Sequence, residues 1–240
     1  MLAQRNADRH LTLTAARAIL LIASVLAAWM MLPAQAARAA CGDTTPRTVL
    51  CVDENGGGAA TGLSWTDAFT NVQDALAEAN THSTTDYEIW VAEGVYYPDE
   101  GASTIADSEM MSFTLSHNNV QLYGGFAGTE TLRTERDWNS HLTVLSGDID
   151  ENDTTDHGVV TDTANITGTN AYHVLYVDGE TAPSITTETV LDGFTITAGD
   201  ANGPHSSPHY RGGGFYCIAG EGLECSPTLN HITFSGNQAQ

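Results

Sequence analysis

The sequence predicts an all-β chain built as a solenoid of short stacked strands, with one amphipathic helix capping its N-terminal end. Three observations carry the prediction. After residue 80 the chain is a succession of short runs rich in β-branched, aromatic and leucine residues, separated by Gly, Asn and Asp, with no helical period between them. An internal echo links LDGFTITAG at 191–199 to LNHITFSGN at 229–237, 38 residues on, with GGGFY at 212–216 between them; a coil repeat reads this way. Only 64–80 carries a helical apolar stripe in the mature chain. The lack of helices between strands excludes a Rossmann-type or barrel α/β fold. A β-sandwich would satisfy the strand pattern too, and it is the echo that favours the solenoid.

Residues 1–40 read as a secretory signal peptide. Arg5, Arg9 and Arg17 precede an uncharged apolar run from Ala18 to Leu32, and two A-x-A sites follow Pro33. The run of 15 residues is shorter than the roughly 20 that span a bilayer, so no membrane span is expected in the mature chain. Cys41 follows two Ala as a lipidated cysteine does, but Arg38 stands where an apolar residue is expected. The rest divides into an N-terminal cap with the first coils, 41–111, and further coils, 112–240. The coils read as truncated at the C-terminus, because Gln240 follows the FSGN turn with no second capping pattern.

The elements follow in order. Residues 48–52 (TVLCV) form a first strand and 53–62 a Gly-rich turn. In the helix expected over 64–80, Trp65, Ala68, Phe69, Val72, Ala75, Leu76 and Ala79 recur at steps of three or four. Ser64 with Asp67 gives an N-cap and Asn80 a stop. The Trp65, Phe69, Val72 and Leu76 stripe would cover the open core of the first coil. Strands are expected at 88–92, 112–115, 120–123, 143–146, 173–177, 190–191 and 194–197, and 200–210 reads as an insertion on one face.

Charge bounds the function. The 240 residues hold 8 basic side chains, all Arg, against 30 acidic ones, a net charge of −22. Loss of 1–40 takes four Arg and one Asp with it, which leaves −25. No nucleic-acid partner is expected, since binding by phosphate neutralisation needs basic patches. With 41% hydrophobic and 16% charged residues, the chain is not a disordered acidic tail. Such a surface favours solubility and cation binding and repels polyanions. The four cysteines all follow the signal, and their spacing pairs Cys41 with Cys51 and Cys217 with Cys225 as disulfides of an oxidising compartment. A zinc site is the alternative, but C-x-x-C spacing is missing.

Several segments resemble one family. VLCVDENGGG at 49–58, SW at 64–65, the 68–76 stretch and EIWVAEGVY at 88–96 resemble the N-terminal coil of secreted right-handed parallel β-helix proteins of the pectate-lyase-like fold. LYGGFAGTE at 122–130, RDW at 136–138 and LSGDI at 145–149 resemble a bacterial branch of that group. GGGF at 212–215 and FSGN at 234–237 are similar to the GGAI and FxxN repeats of chlamydial polymorphic outer-membrane proteins. The resemblance covers 48–240 and implies a right-handed parallel β-helix, secreted or at the cell surface. It implies little about activity, because that fold carries lyases, hydrolases, adhesins and passive surface proteins.

The leading expectation is a binding, adhesive or structural role towards extracellular polysaccharide or other cell-surface components. No catalytic residue or resident cofactor is assigned, with calcium as the possible exception. The alternative is a polysaccharide lyase or glycoside hydrolase. A lyase of this kind sets a basic residue beside calcium-bound substrate; Arg211 is the lone candidate base, since Arg133 and Arg136 have Glu130, Glu135 and Asp137 close by. A hydrolase needs paired carboxylates; Asp148, Asp150, Glu151, Asp153 and Asp156 are the densest acidic run, with Asp192 and Asp200 isolated. Asp148, Asp150 and Asp153 are also the calcium candidates. The run opens like an EF-hand loop, but Asp153 stands at its Gly position and Val159 at its Glu position. His205 and His209 have metal-pair spacing, but Pro204 and Pro208 bar the helix that would align them. Asn237 reads as part of an inward turn ladder, and Asn152 and Asn165 head N-x-T triplets.

Overall fold

The computed structural model describes residues 41–42, 46–118, 120–181 and 183–240; the segment read as a signal peptide lies outside the described residues. The strands are β1 (Thr48–Val52), β2 (Tyr87–Ala92), β3 (Gly94–Tyr96), β4 (Phe113–Leu115), β5 (Val120–Phe126), β6 (Thr143–Ser146) and β7 (Leu175–Gly179), then β8 (Val190–Asp192), β9 (Thr195–Thr197), β10 (Asp200–Ala201), β11 (Phe215–Ala219), β12 (Thr228–Asn230), β13 (Thr233–Ser235) and β14 (Gln238–Ala239). Helix α1 (Val72–Thr81) is the only α-helix among the described residues.

The strands form a five-stranded sheet β1-β2-β5-β8-β12, a four-stranded sheet β3-β6-β9-β13, a three-stranded sheet β4-β7-β11 and the pair β10-β14. Every pairing between named strands is parallel. The chain visits the five-, four- and three-stranded sheets in the same order with β2-β3-β4, β5-β6-β7 and β8-β9-β11, and begins again with β12-β13. The 38-residue echo is the register of the last two rounds, since Leu191 pairs with Leu229 and Ile196 with Phe234.

The register stacks like on like. Leu50, Ile89, Leu122, Leu191 and Leu229 form one column through the five-stranded sheet. Tyr96, Leu145, Ile196 and Phe234 form another in the four-stranded sheet, and Phe113, Leu175 and Phe215 a third. All but the last row are buried in one core, whereas Leu229 is 37% and Phe234 48% exposed. Asn237 braces the turn between rounds, accepting from Gly199 N at 3.0 Å and donating to the Ile196 carbonyl at 2.8 Å, the ladder role expected for it.

The helix begins later than its periodicity predicts. Ser64 does accept from Asp67 N at 3.1 Å, as an N-cap would. The turn does not propagate, because the Phe69 backbone joins the end of β1, donating to the Cys51 carbonyl and accepting from Asp53 N, both at 2.9 Å. Asn71 is the N-cap instead, accepting from Asp74 N at 2.8 Å. The 65–76 stripe is therefore split. Val72, Ala75, Leu76 and Ala79 face the main core, with Phe69 partly buried against it. Trp65 and Ala68 belong to a second cluster with Trp90, Phe126 and Cys41, and Trp65 Nε1 donates to the Glu130 carbonyl at 2.8 Å.

Both expected disulfides are present, Cys41–Cys51 and Cys217–Cys225, with Cα–Cα separations of 6.2 and 6.0 Å. They fit an oxidising, extracellular environment. No helix among the described residues is long and apolar enough to cross a membrane.

The core account is checked by calorimetry. Leu76→Ala should cost about 2–5 kcal/mol and lower the thermal midpoint by several degrees, whereas Glu78→Ala, which removes a half-exposed side chain paired with His82, should change it little. A midpoint within a degree of the parent for Leu76→Ala would show that α1 does not pack on the core.

Candidate functional site

A candidate binding surface lies where the three-stranded sheet meets the 200–211 insertion. In β7, Leu175 and Val177 are buried while Tyr176 and Asp178 are half-exposed, the alternation of a strand with one wet face. The register places Thr114, Tyr176 and Tyr216 in one outward file across β4, β7 and β11. The Tyr176 and Tyr216 rings lie 5.8 Å apart and 13° from parallel, in the range of offset aromatic pairs.

The insertion folds over the start of this file. Ser207 caps a short 3-10 turn, Pro208–Tyr210, by accepting from His209 N. His209 stacks on Tyr172 at 4.8 Å, and Tyr172 is tied to Glu109 through its hydroxyl at 3.0 Å. His173 stacks on Tyr216 at 4.7 Å and is only 5% exposed beneath the insertion. Its Nδ1 contacts the Gly212 carbonyl at 3.2 Å, so Nδ1 carries the proton and donates. That leaves Nε2 as a bare acceptor, buried and without a partner. Burial pushes His173 below the ordinary histidine range; the bond to Gly212 opposes this and His209 adds to it. Burial likewise pushes the Tyr176 phenol up to about 12.

Between the insertion and Tyr216 lies an open pocket of about 260 Å³, lined by residues 205–208 of the insertion with Tyr210, Arg211 and Tyr216. Arg211 lies 4.6 Å over the Tyr210 ring. The other described arginines are ion-paired: Arg47 with Glu188, Arg133 with Glu88 and Arg136 with Asp192. Arg211 is the one arginine among the described residues with no carboxylate partner. Aromatic rings, a planar multi-donor cation and hydroxyl groups in one open pocket can hold a polar ligand that has apolar faces.

The other expected site residues fall elsewhere. Arg133 and Arg136 do not pair with Glu130, Glu135 and Asp137, because those carboxylates accept from nearby backbone N–H groups in their own turns. Arg136 instead bonds the Gly124 carbonyl of its own round and reaches into the next round to the Asp192 carboxylate, the latter at 2.7 Å. Asp192 is not isolated, since His231 Nδ1 also contacts it at 2.8 Å and stacks on Trp138. This cluster pins the 131–141 turn to the five-stranded sheet. His205 and His209 separate, one on Tyr210 and the other on Tyr172. Among the described residues no three His, Cys, Asp or Glu side chains form a metal-binding group. The sequence reading missed Tyr172, His173, Tyr176 and Tyr216 as a set; Tyr216 lies 40 residues after Tyr176, and nothing local shows a shared face until the β7–β11 register is known. A scan against protein-family models, a search of curated proteins and a search of solved structures found no match to the chain.

The buried neutral His173 makes stability pH-dependent. Its folded-state pKa lies below the unfolded value of about 6.5, so its contribution is complete above that pH and is lost as pH falls through the depressed value. The facing groups are His209, Tyr176, Tyr216 and the Gly212 and Arg211 backbone. The stability advantage of the parent over His173→Phe should shrink between pH 7.5 and 5, by at most about 1.4 kcal/mol per pH unit. Denaturant titrations giving a pH-independent difference would contradict this.

Proposed function

We propose that this is a secreted or cell-surface right-handed parallel β-helix protein that binds an extracellular glycan at the pocket between Tyr216 and the 205–211 turn. The β-helix reading rests on the exclusively parallel strand pairing and on the fixed order in which the chain visits its three larger sheets. In this reading α1, which lies against β1, β2 and β4, is the cap of the coil stack, and the likeness to secreted β-helix proteins is of common architecture. Secretion is supported by the N-terminal sequence pattern and the two disulfides.

The observation that carries the binding role is the unpaired Arg211 beside two half-exposed tyrosines in a chain whose net charge is −22. A sugar ring presents C–H faces to aromatic rings and hydroxyls to a donor fork, and Tyr210, Tyr216 and Arg211 supply both. The file from Thr114 to Tyr216 extends the surface along the direction in which strands stack, about 5 Å per strand, the comparable repeat of an extended polymer lying across it.

Catalysis is the second reading, favoured by the same unpaired arginine. A lyase would use Arg211 as its base. A hydrolase is less well served, since no residue lining the pocket is Asp or Glu.

Affinity electrophoresis against a panel of soluble polysaccharides tests the binding role. Tyr216→Ala and Arg211→Ala should each weaken retention at least tenfold, about 1.4 kcal/mol or more, without changing the thermal midpoint by more than a few degrees. Retention equal to the parent in both variants would remove the pocket from the account. The parent should give no rise in ultraviolet absorbance on polygalacturonate, with or without calcium. A rise that vanishes in Arg211→Ala would make the protein a lyase.

A further inference from the structure

The insertion that forms one side of the pocket is closed on itself. Gly203 and Gly212 flank it, and Gly212 is left-handed, with φ +61°, a conformation that glycine adopts freely. Its backbone bonds close within it: Gly203 N donates to the His209 carbonyl at 3.0 Å, Ser207 N to the Pro204 carbonyl at 3.0 Å and Arg211 N to the Pro208 carbonyl at 3.1 Å. The stack of His209 on Tyr172 and the bond from His173 Nδ1 to the Gly212 carbonyl hold it to the sheet beneath.

His173 is buried under this unit with Nε2 unpartnered. Facing it are Tyr176 from β7, Tyr216 from β11, His209 from the insertion and the Arg211 and Gly212 backbone. Tyr172, beside it in the chain, is engaged with His209 and Glu109, and the Arg211 guanidinium lies over Tyr210. His82, His141, His157 and His231 each contact a carboxylate, whereas His173 and His209 belong to no ion pair of the described residues. A proton on Nε2 would turn a bare acceptor into a buried charged donor with nothing to receive it, which costs far more than the orphan acceptor does. A proton on His209, whose ring centroid lies 5.8 Å away, would add like-charge repulsion. Both costs disappear once the insertion lifts and water reaches the rings.

We propose that protonation of His173 releases the 203–212 insertion as a flap, so that the pocket it builds with Tyr216 exists at neutral pH and is lost in mild acid. The consequence for glycan binding rests on the reading of that pocket given above. The flap itself is measured without glycan, so failure of either one leaves the other standing.

The sign follows from linkage. With the flap released, His173 takes up a proton below about 6.5, the value of a solvated imidazole. With the flap closed its value lies lower, because of burial. Release is therefore favoured by up to about tenfold per pH unit as pH falls from 6.5 towards the depressed value.

Hydrogen exchange of the 203–212 amides, expressed as protection relative to an unstructured chain at each pH, tests the flap. In the parent, protection should fall at least about fivefold between pH 7 and 5, while β2 and β5 stay protected. In His173→Phe, which keeps a ring against Tyr216 and takes up no proton, protection should not change with pH. Nuclear magnetic resonance titration of the His173 ring in the parent needs no variant, and its midpoint should coincide with the loss of protection. Constant protection in the parent overturns the proposal, as does an equal fall in His173→Phe or a ring that titrates with the insertion still protected. So does a fall shared by β2 and β5, which would be global unfolding.

Discussion

The constraint on which everything else depends is the in-register parallel stacking of like residues from one round of the chain to the next. Leu191 lies on Leu122 and beneath Leu229, and Ile196 lies on Leu145 and beneath Phe234. Each buried member of these columns contributes about 1.5–3 kcal/mol by leaving water. A slip of one residue would turn every one of them outward, since side chains alternate with a period of two. Turn residues keep the count from round to round, and Asn237, bonded to Gly199 and Ile196 of the round before, is the clearest case.

The candidate pocket is a consequence of that register. Tyr176 and Tyr216 come together only because β7 and β11 pair with Leu175 opposite Phe215. The insertion between β10 and β11 then has a floor to fold upon, which it uses through the His173–Tyr216 and Tyr172–His209 stacks. The acidic loop is positioned in the same way: Asn170 bonds the Ala198 carbonyl just after β9, so the loop is fastened to a turn of the following round. Many of the carboxylates accept from backbone N–H groups of turns, as with Glu130, Glu135, Asp137 and Asp148. That leaves Arg211 as the distinctive charge of the pocket.

Most of the strands were legible because β-branched and aromatic runs between Gly, Asn and Asp are a local signal, but their ends were not, since β5 runs on to Phe126, β7 starts at Leu175 and β10 lies at the start of the segment read as an insertion. The 38-residue echo was legible because it is the register itself. Strand β3 was not, since its three residues follow the strand expected at 88–92 after Glu93 alone and are too few to carry a pattern of their own. The helix was overextended because apolar spacing cannot report that the Phe69 backbone is claimed by β1. The partners of Arg133 and Arg136 were misread because nearness in sequence was taken for nearness in space; Glu88 and Asp192 come from other strands. The disulfides were legible because the local spacing happened to match the turns they bridge. The aromatic set of the pocket needed long-range pairing and carried no local trace.

The register can be measured directly. Glu88, Gln121, Val190 and Thr228 are successive partners across β2, β5, β8 and β12, and none of them is fully buried. Dipolar electron paramagnetic resonance from a spin label at Glu88 to labels at the other three should give distances that grow in even steps of about 5 Å, the spacing of adjacent strands. Distances that fail to grow in that order, or that are equal for Val190 and Thr228, would contradict in-register parallel stacking and with it the placement of the pocket.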